Sequence, residues 1–70
     1  MSELAEWLRE QMALRLLGTA QLAALAGVAP NTVTAWRTGR RAPSTESRTR
    51  LADIFDTDPE TVRRLAGEID

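Results

Sequence analysis

The chain has 70 residues, 43% of them hydrophobic, with no Cys or His and a formal net charge of −1. A chain this short buries only roughly 60% of the surface that its unfolded form exposes, so one small domain fits and a deep catalytic pocket does not. Without Cys and His there is no disulfide, no thiolate metal site and no imidazole base; no apolar run approaches the roughly 20 residues of a membrane span.

Helical spacing runs through the chain, with no repeat, no low-complexity segment and no linker. The opening "MSELAEWLRE" is acidic and amphipathic, unlike a signal peptide. Ser2 is placed to cap a first helix, with Glu3 and Glu6 near its positive end. Leu4, Leu8 and Met12 form its apolar stripe with Trp7 beside it, and its end is expected near Leu16–Gly18. A short second helix, "TAQLAALA", starts at Gly18 or Thr19, turns Leu22, Ala23 and Ala26 inward and stops at Gly27. A third helix, expected over about residues 30–38, begins at Pro30, a residue suited to the first helical position. Val33 and Trp36 are its apolar pair, and Gly39 ends it. After the loop "RRAP", Pro43 and Ser44 open a fourth helix with Leu51, Ala52 and Phe55 inward. In "DTDPE", Asp58 is a cap and Pro59 the first residue of a fifth helix carrying Val62, Leu65 and Ala66. Strand propensity in "VAPNTVTAW" is overruled by Pro30 and by the helical spacing. The expected fold class is therefore all-α, a bundle of five short helices in a single domain over residues 1–70.

Charge is unevenly spread. Residues 29–50 hold five Arg and one Glu, whereas residues 51–70 hold six acids and two Arg. A cationic middle between acidic ends fits one face made for a polyanion, and fits a mixed solvated surface as well. All nine basic residues are Arg, which biased codon usage explains as readily as selection for bidentate contacts. The spacing of Ala23, Gly27, Val33 and Trp36 says more. Two helices crossing through a short turn approach closely, so Ala23 leaves room. Gly27 supplies a left-handed backbone. Leu22, Val28, Val33 and Trp36 fix the pair to a core. This is a helix-turn-helix pattern over about residues 19–38.

From here the chain resembles a known family. "LAALAGVAPNTVTAWRTGRRAPS" followed by "RLADIF" is similar to the lambda-repressor-like (Cro/repressor-type) helix-turn-helix family, and the similarity runs over roughly residues 4–66. The resemblance implies a compact five-helix bundle that binds double-stranded DNA as a dimer, its third helix in the major groove. Taking Val33 and Trp36 as the inward direction, the opposite, base-facing side holds Pro30, Asn31, Thr34 and Ala35. Asn31 can contact adenine bidentately, its amide oxygen accepting and its NH2 donating, Thr34 can hydrogen-bond or offer a methyl group, and Pro30 and Ala35 offer apolar contact. Thr32 and Thr38 flank the strip and suit phosphates. Thr19, at the start of the second helix, occupies a position that often holds a phosphate-contacting Gln. Arg37, Arg40 and Arg41 would hold the DNA backbone on either side.

The chain also departs from the family pattern. Arg37 stands where many relatives carry Glu, and an ion pair with Glu6 or Glu10 is the alternative to a phosphate contact. Ala29 and Gly18 replace common Ser or Thr caps, and Leu16 a common turn Gly. Arg48 stands where an apolar residue is usual and is expected to snorkel outward. The base-facing strip contains no Gln, Arg or Lys, so DNA shape is the other route to specificity. Trp36 reads as core, not as a base-stacking side chain. "DTDPE" reads as a helix cap, because the Gly and distal Glu of a calcium loop are missing.

The expected function is a repressor-type transcriptional regulator, a homodimer through the fifth helix with Leu65 and Ile69. It would be cytoplasmic and nucleoid-associated when bound to DNA, with no cofactor, metal, catalytic residue or small-molecule effector evident. The alternative is a protein–protein interaction module of antitoxin or phage-accessory type, on the same fold with little DNA reading.

Overall fold

The computed structural model describes residues 2–67, which fold into helices α1 (Glu3–Leu14), α2 (Thr19–Ala26), α3 (Pro30–Arg37), α4 (Thr45–Ile54) and α5 (Pro59–Leu65). No strand occurs among the described residues, and Ile69 lies outside them.

Short polar side chains start most of these helices. Ser2 Oγ accepts from the Ala5 N–H at 3.2 Å, Ser44 Oγ from the Ser47 N–H at 3.2 Å, and Asp58 Oδ1 from the Glu60 N–H at 3.0 Å. At α2, where Gly18 offers no side chain, Gln21 Oε1 reaches back to accept from the Gly18 N–H at 2.7 Å. At α3 no side chain caps, and Pro30 takes the first position. Pro has no N–H to leave unsatisfied there.

The helix ends share one device. Each helix is followed by a residue with positive φ: Leu16 (53°), Gly27 (73°), Gly39 (76°), Asp56 (53°) and Gly67 (83°). After the first four, the N–H of the next residue closes back on the last turn. Leu17 donates to Met12 O at 2.8 Å, Val28 to Ala23 O at 3.0 Å, Arg40 to Ala35 O at 3.0 Å and Thr57 to Ala52 O at 2.7 Å. The glycines are legible as stops; Leu16 and Asp56 are not. With Leu16 left-handed, α1 ends at Leu14, earlier than the expected Leu16–Gly18.

The main core joins Leu8 and Met12 of α1, Leu22, Ala23 and Ala26 of α2, Val33 and Trp36 of α3, and Leu51 and Phe55 around α4. Leu4, Ala52 and Val62 form a smaller cluster, against which Leu65 and Ala66 pack half-buried. Trp7 touches both and meets Phe55 edge-on, ring centroids 5.6 Å apart. Thus α1 packs on α3 and α5, while α4 packs on α2 and α5.

Arg48 corrects the sequence reading. Instead of snorkelling outward it is buried, 7% exposed. Its Nη1 donates to Pro43 O at 2.8 Å and its Nη2 to Thr45 Oγ1 at 3.0 Å. Helical spacing explains the direction, since Leu51 and Ala52 follow it by three and four residues on the same face. The hydrogen bonds offset part of the loss of water around the guanidinium.

Three more arginines close helix ends. Arg9 Nη1 donates to Arg37 O at the end of α3, Arg15 Nη2 to Phe55 O after α4 at 2.9 Å, and Arg50 Nη1 to Ala26 O at the end of α2 at 2.9 Å. Each places a cation at the negative end of a helix.

Candidate nucleic-acid interface

The site is built on the turn between α2 and α3. Gly27 holds φ 73°, and a β-carbon added there would stand 2.6 Å from Arg50 Nη1. The turn therefore favours glycine for its backbone, and any β-carbon there would displace the arginine that closes α2. Beyond it, Val33 (0% exposed) and Trp36 (4%) seat α3 in the core. With one face committed, the rest of α3 faces outward. Pro30, Asn31, Thr34 and Thr38 are exposed, and Thr32, Ala35 and Arg37 are half-buried.

Hydrogen bonding within this strip is uneven. Thr34 Oγ1 donates to Pro30 O at 3.3 Å, and Thr38 Oγ1 to Thr34 O at 3.0 Å and Ala35 O at 3.3 Å. Both hydroxyl protons are thus turned back onto the helix, although each oxygen can still accept. The Asn31 side chain has no hydrogen-bond partner among the described residues, so its donor and acceptor both remain available. The side chain of Thr32 likewise bonds to none of the other candidates.

At the start of α2 the structure joins two of the sequence candidates. Arg37 Nη1 donates to Thr19 Oγ1 at 2.8 Å. Its partner is this hydroxyl, and neither Glu6 nor Glu10. The reason lies in α1. Gly39 approaches Ala5, and Arg9, one turn further along that face, is the side chain of α1 that reaches the end of α3. Glu6 and Glu10 stay exposed on the solvent side. Arg9, Gly18, Thr19 and Arg37 line a shallow surface notch. First-turn N–H groups of a helix have no intrahelical acceptor, and Thr19 keeps its own hydroxyl proton after accepting from Arg37. The notch can therefore receive an anion.

The second cationic group follows α3. The N–H groups of Arg40 and Arg41 both donate to Ala35 O, at 3.0 and 3.3 Å. This folds the loop back on the helix end while both guanidinium groups remain exposed. Neither donates to another described residue, in contrast to Arg9, Arg15, Arg37, Arg48 and Arg50.

Two arginines lie outside what the sequence reading anticipates. The spacing of Arg48 from Leu51 and Ala52 does signal an inward position, against the preference of its residue type. Nothing short of the packing of α1 on α3 points to Arg9. Elsewhere, no group of three or more acidic residues among those described is placed to hold a metal ion, and the Asp58 carboxylate caps α5. No described helix is long and apolar enough to cross a membrane.

A helix-turn-helix family model matches residues 6–65, most of the chain. Neither a curated protein nor a solved structure matches significantly. The match takes in most of α1 and all of the four helices that follow, and within it lies the Gly27 turn that seats α3. The chain belongs to the lambda-repressor-like, Cro/repressor-type family of DNA-binding helix-turn-helix domains.

Proposed function

We propose that this protein is a sequence-specific transcriptional regulator of the repressor type, one DNA-binding unit over residues 1–70 that acts on double-stranded DNA as a cytoplasmic homodimer. In this reading α3 enters the major groove. Pro30, Asn31, Thr34 and Ala35 face the bases, with Asn31 the principal reader through adenine. Thr19 and Arg37 take one phosphate at the start of α2. Arg40 and Arg41 take others beyond α3, with Thr32 and Thr38 on the flanks. The observation that carries the reading is the outward strip of α3, bounded at one side by the Thr19–Arg37 pair and at its end by the exposed Arg40 and Arg41.

One copy offers on the order of five phosphate contacts, few for tight binding at physiological salt. A pair joined through α5, near half-buried Leu65, would reach two half-sites about 34 Å apart. The test is selection of bound duplexes from a random pool. A two-fold symmetric consensus containing adenine in each half-site is expected. A pool that shows no enrichment after repeated rounds overturns the reading.

A second reading has some support. The strip holds few free polar groups, and Leu14, Leu16 and Leu25 are 70, 89 and 57% exposed. Those features suit a module whose partner is another protein. Stoichiometric capture of one protein by the wild type and equally by Arg40→Ala/Arg41→Ala, with no DNA retained, would favour it.

A further inference from the structure

We infer that Arg48 is a positioning residue for DNA binding, one that fixes the loop carrying Arg40 and Arg41 from inside the protein. The inference rests on the reading that these two arginines meet phosphates.

The loop runs from the end of α3 to the cap of α4. Its first end is fixed by Ala35 O, which accepts from both the Arg40 and Arg41 N–H groups. Gly39 there lies beside the start of α1, where an added β-carbon would make ordinary contact with Ser2 Cβ at 3.4 Å. Its second end is fixed by Arg48. Pro43 is buried, and its carbonyl accepts from Arg48 Nη1 at 2.8 Å. The same guanidinium holds Thr45 Oγ1, in the first turn of α4, at 3.0 Å. One planar fork thus spans the junction between loop and helix. Arg40, Arg41 and Ala42 are exposed between the two fixed ends.

Position 48 lies on the inward stripe of α4, where an apolar side chain would pack without the desolvation cost of a buried cation. Among its hydrogen bonds to described residues, arginine brings one to the loop and one to the first turn of α4. A loop fixed at both ends presents its guanidinium groups with less freedom to lose when DNA binds. Lysine keeps the charge but lacks the fork that satisfies both acceptors at once.

The test uses Arg48→Met and Arg48→Lys, each in the wild-type background and in Arg40→Ala/Arg41→Ala. Fold is followed by circular dichroism, and binding by titration of a labelled random-sequence duplex over a range of salt. In the wild-type background, folded Arg48→Met is expected to bind about 10-fold more weakly and to lower the slope of log affinity on log salt by about one phosphate contact. Arg48→Lys should fall between. In the Arg40→Ala/Arg41→Ala background, either change should alter affinity less than about twofold, since no guanidinium is left to position.

A wild-type slope and affinity in folded Arg48→Met overturns the inference. So does an equal loss in both backgrounds, which would mark a general loss of stability. If Arg48→Met does not fold, Arg48→Lys carries the same comparison, and wild-type binding by it is the overturning result. If Arg40→Ala/Arg41→Ala alone binds like wild type, the phosphate reading itself fails, and that outcome is distinct from the others.

Discussion

Leu16 holds a left-handed backbone, φ 53°, while its side chain is 89% exposed. A β-carbon disfavours this conformation by roughly 1–2 kcal/mol, and so exposed a side chain contributes little burial in return. Leu16→Gly should therefore stabilise the fold. The gain is limited to roughly 0.5–1 kcal/mol, because glycine loses more freedom on folding. A rise of several degrees in Tm would record it, and an unchanged or lower Tm would show that Leu16 makes a contribution its exposure conceals. Gly27 is the converse case. In Gly27→Ala the new β-carbon meets Arg50 Nη1 at 2.6 Å. Arg50 can swing aside, but it then releases Ala26 O, so backbone strain and a lost helix-end bond add. A loss of about 1–3 kcal/mol is expected in urea melts.

At the scale of the element, α3 is divided between two tasks. Val33 and Trp36 commit one face to the core, and the opposite face is left for a partner. Among the strip's side chains Asn31 keeps its full hydrogen-bonding capacity, whereas the hydroxyl protons of Thr34 and Thr38 are held by the helix. Asn31→Ala should therefore relax selectivity at one base position by roughly 1–3 kcal/mol while leaving binding to random DNA nearly unchanged. Competition titrations with single-base operator variants measure the first effect, and uniform weakening on all sequences would contradict it. Arg40→Ala/Arg41→Ala should do the opposite, weakening binding to every sequence and reducing the salt slope by about two contacts. Helix α3 is thereby expected to separate reading from holding.

For the molecule as a whole, thin stability and arginine usage are linked. A domain of this size is stable by about 4–10 kcal/mol. Trp36 is among the largest side chains of a core that touches four helices, and Trp36→Ala costs about 3–5 kcal/mol. That variant is expected to melt roughly 12–40 °C below the wild type, and a melt near the wild-type Tm would mean that the core can close over the gap. Arg9, Arg15 and Arg50 meanwhile bind helix-end carbonyls, and Arg48 binds the loop. Arg48 is buried and withdraws its charge from the surface, whereas Arg9, Arg15 and Arg50 stay exposed and keep theirs there. Around α3 the cationic surface consists of the exposed Arg9, Arg40 and Arg41 with the half-buried Arg37, beside acids that line α1 and the α4–α5 region. Such a distribution favours one orientation on DNA.

Much of this is legible in the order of residues along the chain. Apolar spacing places Leu8, Leu22, Val33, Trp36 and Leu51 inside, because a helix repeats its face every three to four residues whatever it packs against. Glycine marks the ends of α2 and α3, because few other residues adopt a left-handed backbone cheaply. Local chemistry also marks Ser2, Ser44 and Asp58 as caps. What required the tertiary structure was the fate of long polar side chains and of residues forced against their preference. Leu16 turns left-handed against the preference of its type, whereas Asp56 belongs to a type that tolerates this backbone. Arg48 goes inward, and Arg37 reaches Thr19 rather than an acid, because a guanidinium extends far enough to choose among acceptors that only packing brings near. Spacing along a chain fixes which face a residue is on; which distant carbonyl or hydroxyl waits there is decided only when the helices meet.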